Sequence, residues 1–171
     1  SSAYQRVVFT EEMKYSHTII APQMSPIHFR LLRRAFESSG HRLVVLDSVD
    51  PKAVDAGLRY VNNDACYPSI IVAGQMMAAL ESGKYDLNHV SLLITQTGGG
   101  CRATNYIGFI RRALNDAGWG HIPVISLSAL GLETNPGFKL TLSLIDNLVK
   151  SIMIGDVFMR VLYRVRPYEA V

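Results

Sequence analysis

Only two cysteines, Cys66 and Cys101, occur in 171 residues, and the first residues lack the basic, apolar and small-residue succession of a secretory signal. A chain of this length buries roughly 70% of its unfolded surface and needs no disulfide staple, so both thiols are read as reduced and the compartment as cytoplasmic. No apolar run reaches the ~20 residues that span a bilayer. The longest, around Ile70 to Leu80, is broken by Gly74 and Gln75, so no membrane partner is expected. Charge is scarce as well: the excess is +3, with only Arg33-Arg34 and Arg111-Arg112 standing out, which is no footprint for nucleic acid. Several catalytic signatures are missing. G-x-S-x-G is absent, as are G-x-G-x-x-G and G-x-x-x-x-G-K-[ST], which argues against a serine hydrolase and against a dinucleotide or P-loop triphosphate site. The histidines His17, His28, His41, His89 and His121 lack metal-ligand spacing and are expected at the surface or at strand ends. There is no internal repeat, linker or low-complexity segment, and Ser1-Ser2-Ala3 carries no initiator Met. The expectation is a single domain over residues 1–171, cut from a much longer multidomain protein.

What is present is core material, 49% apolar against 18% charged, arranged in alternating strand-like and helix-like stretches. His17 to Ala21, Leu43 to Leu46, Ser91 to Thr95 and Ile122 to Ser126 read as strands, Pro123 marking an entry or edge position. Helices are predicted from the Ser25-Pro26 cap to Gly40, from Asp50-Pro51 through Leu58, from Tyr67-Pro68 to about Leu80, from Asn105 to Ala117, and from Phe138 to about Tyr163 with a break near Gly155. Short continuous apolar strands suit a sheet buried on both faces. The predicted fold class is therefore α/β: three layers, with a mostly parallel, Rossmann-like sheet and helices on both faces.

Both cysteines fall in turns with chemical potential. In Asp64-Ala65-Cys66-Tyr67-Pro68 the cysteine immediately precedes a helix, where unpaired N–H groups and the positive end of the dipole favour a thiolate or an anion. A small buried residue near a cap would look the same. Thr97-Gly98-Gly99-Gly100-Cys101-Arg102 follows the Ile94 strand, at the carboxyl edge where open α/β sheets place ligands. Its glycines allow N–H groups to converge on an anion or sulfide, and Arg102 adds positive charge; a tight connection needing glycine for geometry alone is the alternative. Asp64 and Glu133 are candidates for acid–base work, and Asn62, Asn63, Thr104 and Asn105 for ligand contact, though solvated, capping or local turn roles also fit them.

Tyr60 to Pro68 and Gln96 to Ile107, taken together, resemble the C-terminal, dehydratase-like region of the large activase-related proteins of the 2-hydroxyacyl-CoA dehydratase (2-hydroxyglutaryl-CoA dehydratase activator) family. The resemblance extends to Phe9 to Lys14, Pro26 to Phe29, Leu132 to Phe138 and Arg166 to Glu169, nearly the whole chain. Members of that family, from anaerobic bacteria, resemble fusions of ATPase activator modules with a region similar to iron–sulfur dehydratase subunits. The resemblance implies a [4Fe-4S] cluster with Cys66 and Cys101 among its ligands, and Gly98, Gly99, Gly100, Arg102 and Asn63 as cofactor-binding residues. It also implies ATP acting only through other domains, and partners that are those domains or a dehydratase subunit, with an acyl-CoA substrate. The departure is in ligand number: such clusters take three or four thiolates, and this chain has two. Further ligands are expected from another lobe or chain, and the isolated chain is not expected to be an active enzyme.

Overall fold

Short runs of Ile, Leu and Val favour extended backbone because branched side chains pack well on a pleated surface. In the computed structural model, which describes residues 6–23, 26–46, 51–61, 65–96, 106–128 and 134–168, they form four parallel strands. These are β1 (Thr18–Ala21), β2 (Arg42–Val45), β3 (Val90–Gln96) and β4 (Val124–Ser128), in the order β2-β1-β3-β4. Ile20 pairs with Val44 on one side and Leu92 on the other, and Leu93 with Ile125. Parallel neighbours need a crossover, and helices supply each one. A helix α1 (Glu11–Ser16) precedes β1; α2 (Pro26–Ser38) links β1 to β2; α3 (Pro51–Tyr60) and α4 (Tyr67–Glu81) link β2 to β3; α5 (Tyr106–Asp116) links β3 to β4; and α6 (Leu142–Val165) follows, ending in a 3-10 turn at Arg166–Tyr168. Gly40 and Gly118, at φ 80° and 77°, take the left-handed conformation that closes α2 and α5 and that side chains rarely tolerate.

Alternation along the strands divides the core in two. Ile20, Leu92, Ile94 and Val124 face α3, α4 and α5, where they meet Ala56, Ile70, Met76 and Leu114. Ile19, Leu43, Leu93 and Ile125 face the other way, against Ala35 and Phe36 of α2, Leu144 of α6, and Phe9 and Phe138. Both faces of the sheet are covered, so the fold is the expected three-layer α/β arrangement with an all-parallel sheet. Helix α4 is apolar nearly all round because its surroundings are: Met76 and Met77 are fully buried, each worth roughly 1.5–3 kcal/mol of transfer free energy. Among the described residues no helix is long and apolar enough to cross a membrane.

The structure departs from the sequence-based expectation in four places. Helix α1 is not predicted from the pattern, since none of its residues is buried and its six residues rest on capping by Thr10 and on acidic Glu11 and Glu12 in the first turn. Strand β4 begins at Val124 rather than Ile122, with Pro123 just ahead of it at the sheet edge, because proline cannot donate to a ladder. Helix α6 starts at Leu142 rather than Phe138: Asn135 to Phe138 make a turn that buries Phe138 against Phe36, and Thr141 caps the helix by accepting from Leu144 N–H at 3.1 Å. There is no break at Gly155, where the missing side chain makes room for the His28 ring; a Cβ would lie 2.6 Å from it. The segments around Phe9 and Asn135, remote in sequence, are tied together: Asn135 Oδ1 accepts from Phe9 N–H at 3.1 Å, and Gly137 N–H donates to Phe9 O at 3.0 Å.

Candidate functional site

The strand order switches between β1 and β3, the topological position at whose carboxyl edge such sheets bind ligands. Three described features are placed toward this edge. Gln23, just past β1, donates its N–H to Oε1 of the buried Gln75 in α4 at 3.1 Å. Cys66 is the N-cap of α4, with extended backbone (φ −65°, ψ 145°) and proline in the first turn, as the sequence predicts. Tyr106 opens α5 and contributes to lowering the pKa of Cys66.

Cys66 is half-buried, and its thiol donates to Ser69 Oγ at 3.5 Å. Ser69 is itself buried and folded back on the cap: its hydroxyl and its N–H both go to Cys66 O, at 2.7 and 2.9 Å. The Ser69 hydroxyl, then its N–H, hold the thiol below its ordinary pKa; partial burial opposes them, and the Tyr106 hydroxyl adds to the lowering. The arrangement can therefore stabilise a thiolate at a helix N-terminus. Replacing Tyr106 by Phe, or Ser69 by Ala, is expected to raise the thiol pKa. The pH–rate profile of iodoacetamide alkylation should shift to higher pH, most for Ser69→Ala.

Of the residues singled out from sequence, only Cys66 is described at this edge. Asn62, Asn63, Asp64, Gly98, Gly99, Gly100, Cys101, Arg102, Thr104, Asn105 and Glu133 lie outside the described residues. Among the described residues, no cluster of three or more His, Cys, Asp or Glu could hold a metal ion. One thiol does not make a cubane site, so these residues by themselves do not fit a [4Fe-4S] cluster.

His17, His41 and His89 immediately precede strands and His89 and His121 are exposed, as expected, whereas His28 lies within α2, and His17 and His41 are not at the surface. His17 and His41, entering β1 and β2, are 7% and 4% exposed, because the short strands begin inside the core. His17 Nδ1 is 2.8 Å from Ser91 Oγ, and its ring meets His89, which in turn bonds Asp86 at 2.7 Å. This chain of polar groups lies at the amino ends of β1 and β3, opposite the Cys66 edge. Ser91 is fully buried, so it fixes strand position and is no nucleophile.

Ser69 and Tyr106 are functional candidates that pattern reading misses. A serine three residues after a cap has a familiar local role, whereas nothing in the sequence relates Tyr106 to a cysteine forty residues earlier. Also unforeseen is a cavity of about 680 Å³ between β2, α3 and α4, lined in part by Leu46, Lys52, Arg59, Gln75 and Lys84. Arg59 there is paired with Glu81 at 3.2 Å. No family model, curated protein or solved structure matches the chain.

Proposed function

We propose that this domain carries the thiolate edge of an iron–sulfur redox site in a cytoplasmic acyl-CoA dehydratase/activase-type system. Cys66 and Cys101 would be ligands, and the remaining ligands and the ATPase would belong to other domains or to a dehydratase subunit. The single observation supporting this most is the setting of Cys66: it is the N-cap of α4, its thiol bonds the buried Ser69, and its pKa is lowered, with Tyr106 at the start of α5 adding to that lowering. Tyr106 follows the Gly98-Gly99-Gly100-Cys101-Arg102 string in sequence. A thiol whose pKa is lowered by its polar neighbours suits a residue that must lose its proton to bind metal, and such neighbours also tune the potential of a cluster. When bound, the cluster supplies one-electron transfer at low potential. The chain's own part is to hold one thiol with a lowered pKa at the carboxyl edge of the sheet and to shield it partly from water.

Anaerobic reconstitution of the full chain with iron and sulfide is the test. The expected result is the broad visible absorption of thiolate-bound clusters, with stoichiometric iron, lost in the Cys66→Ser/Cys101→Ser double variant. The full spectrum and iron content persisting in that variant would remove both residues from the site.

A second reading, an acyl-CoA-binding lobe without a cluster, draws on the 680 Å³ cavity. Its size is in the range of small-molecule sites, and Lys52 and Lys84 on its wall could meet phosphate. Calorimetric titration with CoA esters separates the two, since this reading requires binding that survives loss of both cysteines and weakens in Lys52→Ala/Lys84→Ala.

A further inference from the structure

Helix α6 packs one side against α2 and the core, and its other side is uncovered among the described residues. Leu144 and Gly155 are its buried residues, and His28 of α2 bonds Asp156 at 2.9 Å. The opposite side is mostly apolar, with Asp146, Asp156, Arg160 and Arg164 set among its apolar residues. Leu142, Ile145, Val149, Ile152, Met153 and Val157 are between 41% and 85% exposed, and further exposed apolar residues continue to Val165. At roughly 150–200 Å² for a fully exposed side chain of this size, these six residues leave on the order of 600 Å² of apolar surface, at the upper end of what a monomer leaves in one patch and most of the roughly 800 Å² per partner of a stable interface.

The charges on this side say what covers it. Asp146, Met153 and Arg160 are spaced by seven residues, two turns, so they lie on one line of the helix, with Leu142 and Val149 beside it. Arg160 has no ion-pair partner among the described residues, while Asp146 bonds Lys150. A parallel second helix would set Asp146 against Asp146 and Arg160 against Arg160. An antiparallel one, with its two-fold axis at Met153, sets Asp146 of each helix against Arg160 of the other, about 10 Å on either side of the axis.

We propose that the occupant is a second copy of this chain, docked antiparallel through α6 in a two-fold dimer. Leu142, Val149, Met153 and Val157 form its centre, and two Asp146–Arg160 pairs set its direction. The interface is separate from the Cys66 edge and does not depend on the redox reading.

Sedimentation equilibrium of the full chain at micromolar to 100 µM concentration tests this. A dimer is expected, with Met153→Lys shifting it to monomer and Arg160→Asp weakening association by at least tenfold. The charge-reversed pair Asp146→Arg/Arg160→Asp should recover most of the affinity, an outcome that a folding defect in Arg160→Asp would not produce. All substituted positions are exposed, and unchanged circular dichroism would establish that each variant is folded. A monomeric wild-type chain throughout the range would overturn the proposal. So would a dimer indifferent to Met153→Lys, or a charge-reversed pair no tighter than Arg160→Asp.

Discussion

Gly74→Ala is expected to lower folding stability by about 3 kcal/mol or more, although the same exchange inside an exposed helix ordinarily stabilises by up to about 1 kcal/mol. At this position α3 and α4 cross with no side chain between them. A Cβ on Gly74 would stand 1.8 Å from the carbonyl oxygen of Ala53, and one on Gly57 would stand 2.3 Å from that of Ile70. Both obstacles are backbone, so relief requires the helices to separate, which opens space beside the buried Met76 and Met77. Gly155→Ala is the informative contrast. Its nearest neighbour is the His28 ring at 2.6 Å, a side chain that can swing aside at the cost of its bond to Asp156, so the loss should be well under half as large. Urea unfolding of both variants, compared at equal m-value, measures the difference. A Gly74→Ala chain as stable as the wild type would mean that α3 and α4 do not cross in this way.

Stability is also expected to fall by about 3 kcal/mol between pH 7 and pH 4 through one buried group, His41. The residue is 4% exposed, its ring tilted against Phe138 at 5.1 Å and edge-on to Phe36, and its Nδ1 has no hydrogen-bond partner among the described residues. Burial, with the positive charge of Lys14 second, lowers its pKa from 6.5 to about 4. The unfolded chain therefore binds a proton that the folded chain refuses throughout that window. The stabilisation is complete above pH 6.5 and is lost as pH falls through 4, at about 1.4 kcal/mol per pH unit where the slope is steepest. His17, whose pKa is also lowered, mainly by burial, acts in the same direction. His41→Phe keeps an aromatic ring among Phe36 and Phe138 and removes the titrating group, so its denaturation midpoint should vary much less between pH 4 and 6.5. A variant with the wild-type pH slope would show that His41 does not carry it.

Much of this architecture is legible in the sequence because periodicity and punctuation are local. The apolar run at Ser91 to Thr95 becomes β3, α2 and α3 begin at Pro26 and Pro51, and Gly40, Gly83 and Gly118 end helices with positive φ. Elements whose form depends on distant partners are harder to read. Phe138 is a good helix residue by composition, yet it leaves the helix to fill the space beside Phe36 and His41. Gly155 resembles a breaker, but α6 continues through it because the backbone hydrogen bonds need no side chain and the His28 ring takes the vacant volume. Cys66 could be recognised as a cap residue, whereas its two hydrogen-bonding neighbours could not both be found: Ser69 is three residues away and Tyr106 forty.

Local sequence alone therefore determined the α/β class, the helix and strand types and the position of Cys66 at a helix N-terminus, since each follows from side-chain spacing and from backbone preferences within a few residues. Only the tertiary structure decided that the strands run in the order β2-β1-β3-β4, that Tyr106 meets Cys66, that α3 and α4 touch backbone to backbone at Gly74, and that one side of α6 is left bare. Those outcomes depend on which surfaces meet after the chain has folded back on itself, and no local pattern of residues encodes that pairing.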